Sequence, residues 1–131
     1  MKNLYKAYSV VKKEHRPFDP FSTVMVNGEP IKKIHKDGKD YRDGLCLVIP
    51  FGNFSGGNLM FPSYKREFVL DKGNNVISIS LFKGDMIIFK SHTLHHGNNE
   101  VYWGERRSLV FFTHNSVITS NMKEILDPYI L

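Results

Sequence analysis

Ile31-Lys32-Lys33-Ile34-His35-Lys36-Asp37-Gly38 is the stretch on which the fold turns. Ile31 to His35 reads as a short strand, and Asp37-Gly38-Lys39-Asp40 breaks it. In an extended chain residues i and i+2 point to the same face, so His35 and Asp37 can both reach one metal ion. Neutral imidazole and ionised carboxylate are suitable ligands near neutral pH. Two donors leave a site incomplete. A third must come from a neighbouring strand, which requires a folded sheet and not a local loop. Asp40 is the spare acid and reads as a surface turn residue.

Outward from this pair, the sequence keeps signalling β structure. Upstream, residues 1–20 are polar and basic and end in Arg16-Pro17-Phe18-Asp19-Pro20. Prolines so close together block a regular helix or central strand, so this is a lead-in segment, with the folded core expected over residues 21–131. Phe21 to Val26 is β-prone, and Asn27-Gly28 is a tight-turn signal. Downstream, Leu45 to Phe51 is a short apolar strand suited to burial on both faces. Gly52-Asn53-Phe54-Ser55-Gly56-Gly57 reads as a turn, followed by the short run Asn58 to Phe61. Glu67 to Leu70, Val76 to Phe82, Met86 to Phe89 and Arg106 to Thr113 are further strands, and Ser91 to Asn99 is a histidine-rich loop. Only the tail looks helical, with Thr119 or Ser120 capping a turn that runs to Leu126 before Asp127-Pro128. About eight short strands at close spacing, with glycine turns, indicate an all-β sandwich or barrel of jelly-roll type with a short C-terminal helix.

The histidine-rich loop offers His92, His95 and His96 as the missing ligand. Neighbours in an extended strand face opposite ways, so His95 and His96 do not both bind. Two histidines and one carboxylate are the ligand set of the facial triad in non-haem Fe(II) oxygenases, which leaves positions open for a co-substrate and oxygen. Arg106 and Ser108 alternate onto one face of their strand, and Arg107 points the other way. A guanidinium fork matches a carboxylate bidentately and keeps its charge at every relevant pH.

Taken in order, His35-x-Asp37, Gly56-Gly57-x-Leu59, Gly84-Asp85 before a strand, His96, and Arg106-x-Ser108 resemble the Fe(II)/2-oxoglutarate-dependent dioxygenases. Val26-Asn27 and Phe51-Gly52-Asn53-Phe54-Ser55-Gly56-Gly57-Asn58-Leu59 are similar to the Tet/J-binding-protein branch, many of whose members are fungal. The resemblance spans roughly residues 21–113. It implies a double-stranded β-helix with the metal at its mouth. His35, Asp37 and His96 would hold Fe(II), His96 being preferred over His95 because it is the final histidine before glycine. Arg106 and Ser108 would bind the distal carboxylate of 2-oxoglutarate, and Asn53 and Asn58 would stand near the site. The implied reaction consumes O2 and hydroxylates the methyl group of thymine or 5-methylcytosine in nucleic acid. The chain departs from the animal Tet enzymes in having no cysteine-rich zinc-binding extension.

Composition narrows the alternatives. The 131 residues suit one domain with one core, and the net charge is +5. Residues 1–40 hold nine Lys or Arg against five acids, a surplus of +4 suited to an anionic partner such as nucleic acid or to a solubilising surface. Cys46 is single, which excludes a disulfide framework and a cysteine-rich zinc site. The N-terminus has no apolar signal core, and Leu45 to Phe51 is too short to span a bilayer, so an intracellular protein is expected, nuclear if its substrate is chromosomal DNA. Phe51, Phe54, Phe61, Tyr64 and Trp103 are candidate base-stacking surfaces, though core packing explains most aromatics equally well. Two other functions remain open: a protein hydroxylase of prolyl type on the same metal site, and a non-catalytic, truncated β-barrel binding module. A cupin-like protein fits less well, since cupins favour His-x-His.

Overall fold

A computed structural model describes residues 9–28, 31–62 and 76–126. Among them are a short 3-10 turn (Lys13–His15), the strands β1 (Thr23–Asn27), β2 (Lys32–His35), β3 (Cys46–Gly56), β4 (Leu59–Pro62), β5 (Val76–Ile79), β6 (Ile87–Phe89), β7 (His96–Asn98) and β8 (Val101–Phe112), and the helix α1 (Asn115–Leu126). The strands form two four-stranded antiparallel sheets, ordered β1-β8-β3-β6 and β2-β7-β4-β5. This is the double-stranded β-helix, with the core between the sheets. Cys46, Val48 and Phe89 from one sheet meet Leu59 from the other, with Leu81 beside them. The rings of Phe61 and Phe89 pack edge to face at 5.1 Å. Alternation explains the choice of residues: Cys46, Val48 and Pro50 are buried while Leu47 and Ile49 between them are only half-buried.

Four sequence expectations change in detail. Asn27-Gly28 ends β1 but makes no hairpin with β2, because β1 pairs with β8 in one sheet and β2 with β7 in the other. The glycine-rich stretch after Phe51 continues β3 through Gly56. Gly52 and Gly56 take positive φ (104° and 85°) within the strand, which lets it hug β8 with the register Gly52 to Arg106 and Phe54 to Gly104. The histidine-rich loop closes into strand β7, too short to show a period of its own. The helix begins at Asn115, not near Thr119 or Ser120. His114 Nδ1 accepts the backbone N–H of Ser116 at 3.2 Å, a capping role that sequence preferences assign to smaller side chains. Thr119 lies inside the first turns, its Oγ1 bonded to the Asn115 and Ser116 carbonyls, each at 3.2 Å. The strand expected at Glu67 to Leu70, Tyr64 and Asp127-Pro128 lie outside the described residues.

The upstream segment packs on the helix. Val11 and Ile118 are both buried against each other. Buried Asn121 accepts Lys12 N–H at 3.1 Å and His15 Nδ1–H at 3.2 Å, and donates to the Val117 carbonyl at 2.7 Å. Phe18 and Phe21 then cover Phe111 of β8, with ring centroids at 5.8 and 6.0 Å.

Candidate active site

His35 ends β2 and stands directly opposite His96, the first residue of β7. Cross-strand register therefore delivers the third group that the His-x-Asp pair lacks. The two imidazole rings lie 4.5 Å apart. Asp37, two residues past the strand, is fixed by its N–H to the Ser91 carbonyl at 3.0 Å. Its carboxylate oxygens face His35 Nε2 at 3.2 Å and His96 Nε2 at 3.3 Å. One ligand atom from each of the three residues lies within 4.8 Å of the others.

Backbone contacts set the tautomers. His35 Nδ1 donates to the Lys33 carbonyl at 2.7 Å, and His96 Nδ1 donates to the Leu94 carbonyl at 2.8 Å. A carbonyl only accepts, so in each neutral ring the proton is on Nδ1 and the lone pair is on Nε2. Two lone pairs and a carboxylate then face one another with nothing of opposite sign between them. A divalent cation answers that arrangement, and the outward N–H···O=C bonds are the usual way of orienting a metal-bound histidine. Without a metal ion between them, only a proton on Nε2 gives the carboxylate a partner. Burial by itself raises the Asp37 carboxyl, but hydrogen bonding and charge from His96 in that form, with His35 and Lys32, outweigh it and hold the group below its ordinary value. The donor set fits Fe(II).

These groups line one wall of a cavity of about 490 Å³ between the sheets. Arg106 and Ser108 also line it, as alternation along β8 requires, together with Val110 and Phe112. Arg106 is 8% exposed and Ser108 is 2% exposed. Among the described residues, Arg106 Nε and Ser108 Oγ are buried without a hydrogen-bond partner. Arg107 points outward and pairs with Glu105 at 2.6 Å, which leaves Arg106 without that acid as a counter-charge. A buried guanidinium whose Nε lacks a partner among the described residues, beside a hydroxyl in the same state, fits an anionic ligand, and a carboxylate matches the guanidinium fork.

The other sequence candidates stand elsewhere. His95 lies outside the cavity and only His96 of the adjacent pair enters it. His92 also lies outside the lining, with Nδ1 buried and unpartnered among the described residues. Asn53 lines outer grooves on the far side of β3, because its register partner is the outward Glu105. Asn58 is absorbed in structure: its N–H donates to Asn99 Oδ1 at 2.6 Å, and its side chain bonds Ser78 and Ser80, each at 3.2 Å. Neither asparagine reaches the cavity.

Asp40 was expected on a surface turn, yet it is buried and lines the cavity. It accepts Ser91 Oγ–H at 2.6 Å and bridges backbone to backbone with His114. Desolvation raises its carboxyl above the ordinary value, against the Ser91 hydrogen bond. The bridge to His114, just past β8, and the bond from buried Ser91 hold Asp40 inside, and neither contact has a local signal. Asn27, Asn98 and His114 are further polar lining residues, with Lys32, Lys36 and Lys39 beside them. The basic surplus over residues 1–40 was the legible part. Cys46 is buried as expected, and burial pushes its thiol up to about 12, so it is inert.

No protein-family model matches the chain. Its sequence is 33% identical over 95 residues to the bifunctional helicase and thymine dioxygenase JBP2 of Trypanosoma brucei brucei, and 32% identical over 106 residues to JBP2 of Leishmania braziliensis. The chain belongs to the Tet/J-binding-protein branch of the Fe(II)/2-oxoglutarate-dependent dioxygenases. These alignments take in 71% and 76% of the chain but only 8% of each relative, so the chain spans a small part of the curated family members it matches. The branch's fold is seen in NgTET1, solved in complex with 5mC DNA, which superposes with a TM-score of 0.67 at 19% identity over 97% of this chain and 50% of that one.

Proposed function

We propose that this chain is an Fe(II)/2-oxoglutarate-dependent oxygenase that hydroxylates the methyl group of a pyrimidine, thymine or 5-methylcytosine, in nucleic acid. The observation that carries the proposal is one cavity lined by two opposite electrostatic demands. His35 Nε2, His96 Nε2 and the Asp37 carboxylate ask for a cation, and Arg106 Nε with Ser108 Oγ asks for an anion. Support for the substrate class comes from relatives described as thymine dioxygenases and from a structural neighbour solved with 5mC DNA.

In this reading His35, Asp37 and His96 hold the iron, and Arg106 with Ser108 holds the distal carboxylate of 2-oxoglutarate. When bound, iron and the 2-oxo acid together supply the O2-dependent oxidation, releasing succinate and carbon dioxide. The chain's own residues do the placing. The Lys33 and Leu94 carbonyls keep both Nε2 lone pairs turned inward. Arg106, positively charged, fixes the co-substrate's far end, and the Ser108 hydroxyl donates or accepts beside it. Val48, Leu59, Phe89 and Val110 give the cavity a dry wall that keeps water from the reacting centre. A methyl group inside a stacked duplex cannot reach such a centre, so the target base enters unstacked. Lys32, Lys36 and Lys39 on the lining are suited to the phosphates on either side of it.

Anaerobic titration of the purified protein with Fe(II) and 2-oxoglutarate tests the site through the visible charge-transfer band of the chelate. The band is expected in the wild type and weakened in Asp37→Ala and Arg106→Ala. Product analysis then tests the substrate. Succinate release coupled to hydroxymethyl formation is expected on oligonucleotides carrying thymine or 5-methylcytosine. Turnover of a prolyl peptide instead, with none on oligonucleotides, refutes the substrate assignment, and a folded protein with no band refutes the oxygenase.

A further inference from the structure

The bend that follows β3 touches the cavity's arginine from behind. Gly57 takes φ +66°, and its N–H donates to the Glu100 carbonyl at 2.8 Å, with Asn58 and Asn99 bonded to each other beside it. The bend is therefore pinned to the start of β8 and cannot drift. A Cβ on Gly57 would lie 2.8 Å from Arg106 Cδ, 2.9 Å from Val101 Cγ2 and 3.5 Å from Arg106 Nε. Arg106 Cδ lies in the middle of a buried side chain, so the clash could not be relieved by swinging a free end into solvent. On another side, the Phe54 ring centroid stands 6.0 Å from Arg106 Cζ. No hydrogen bond to another described residue holds Arg106 Nε. Shape, from Gly57 and Phe54, sets where the guanidinium ends.

We propose that the Gly56-Gly57 bend, together with Phe54, is the positioning device for Arg106: it fixes how far the guanidinium reaches into the cavity and thereby the affinity for the 2-oxo acid. The claim rests on the reading of Arg106 as the carboxylate anchor. Gly57 is a positioning residue and touches no ligand. Glycine at position 57 is thus needed twice, once for the positive φ of the turn and once because only a missing side chain leaves room for the arginine stem.

Three variants separate this role from simple backbone strain. Gly57→Ala displaces Arg106, and since a hydrogen bond to a charged group is worth roughly ten- to a hundredfold in binding, 2-oxoglutarate should bind more weakly by about that factor. Gly84→Ala is the control: Gly84 has φ +94°, and a Cβ there meets nothing within 4 Å. It strains the backbone at least as much and should leave 2-oxoglutarate binding unchanged. Phe54→Leu should weaken binding about two- to fivefold through loss of the ring–cation contact, with Phe54→Tyr restoring it. Fe(II) affinity in the absence of 2-oxoglutarate should be the same in all of them. A second readout needs no metal: the side-chain Nε–H resonance of Arg106 in ¹⁵N-labelled, metal-free protein should move in Gly57→Ala and Phe54→Leu and stay in Gly84→Ala. Wild-type binding of 2-oxoglutarate that Gly57→Ala retains overturns the positioning role alone. So does an Arg106 resonance that Gly57→Ala leaves in place. A wild type that binds no 2-oxoglutarate overturns the anchor and the positioning role together.

Discussion

Arg106→Met should make the ligand-free protein more stable while weakening 2-oxoglutarate binding at least about thirtyfold. Arg106 is 8% exposed, desolvation lowers its affinity for its proton, and its Nε has no partner among the described residues. A buried, unsatisfied polar group costs about 1–3 kcal/mol, and replacing a buried charge by an apolar chain of similar length often stabilises. An entropy of unfolding of about 2.1 cal/mol/K per residue over 131 residues gives roughly 0.28 kcal/mol per degree, so the melting temperature should rise by roughly 4–11 °C. The binding loss is larger. Truncating one partner of a buried charged pair costs about 2–5 kcal/mol, at least a roughly thirtyfold weaker Kd. Differential scanning fluorimetry under argon with Fe(II), with and without 2-oxoglutarate, reads both effects. At about 100 times the wild-type Kd the ligand should raise the wild-type melting temperature by roughly 10 °C and that of the variant by about 3 °C or less. A variant that melts lower than the wild type without ligand, or that gains as much stability from 2-oxoglutarate as the wild type does, refutes the idea that Arg106 is held unpaired for an incoming anion.

Metal binding should separate the adjacent histidines: His96→Ala and Asp37→Ala should weaken Fe(II) or Co(II) binding by about a hundredfold or more by calorimetry, and His95→Ala should leave it within about twofold. Asp40→Asn keeps an acceptor for the Ser91 hydroxyl at 2.6 Å while removing a charge whose pKa burial raises. A raised carboxyl binds its proton more tightly folded than unfolded, so the wild type is penalised above the folded pKa and relieved as pH falls toward the ordinary carboxylate range. The variant should therefore melt higher than the wild type at pH 8, with the gap closing toward pH 4, and a gap that stays constant would contradict the burial argument. Asn121→Ala strips partners from Lys12 N–H and His15 Nδ1–H and should cost about 1–3 kcal/mol in urea unfolding, with exposure of residues near Val11 to protease as the local sign.

The site was legible where a short period or fixed spacing carries the information. His35 and Asp37 share a face because strands have a period of two, and Arg106, Ser108 and Val110 alternate inward for the same reason. Strand β7 was hidden, since His96–Asn98 offers three residues, one of them glycine, and gains its strand character only from β2 and β4 on either side. Composition misled at Gly52 to Gly56, where glycine usually marks a turn. Here the strand needs glycine because it runs against β8 too closely for a side chain at position 52. Asn53 and Asn58 were drawn toward the site by their neighbourhood in sequence, but one faces outward on β3 and the other fastens the next bend. Asp40 was missed because the bridge that helps hold it inside is to His114, 74 positions away, and no local pattern announces such a contact.

The arrangement of charges also argues for what the cavity must receive. At one wall, two Nε2 lone pairs and a carboxylate converge, a cluster that a proton or a cation relieves but an apolar ligand worsens. On β8, a guanidinium nitrogen and a hydroxyl are buried and unpaired among the described residues. A cation alone would leave Arg106 unsatisfied, and a monocarboxylate alone would leave either the metal cluster or Arg106 unanswered. A bound metal ion together with a dianion, chelating the metal at one end and presenting a carboxylate to Arg106 at the other, satisfies both with little net charge left over. On the proposed reading, selectivity for a 2-oxo dicarboxylate over succinate rests on the metal end, and selectivity over pyruvate rests on Arg106.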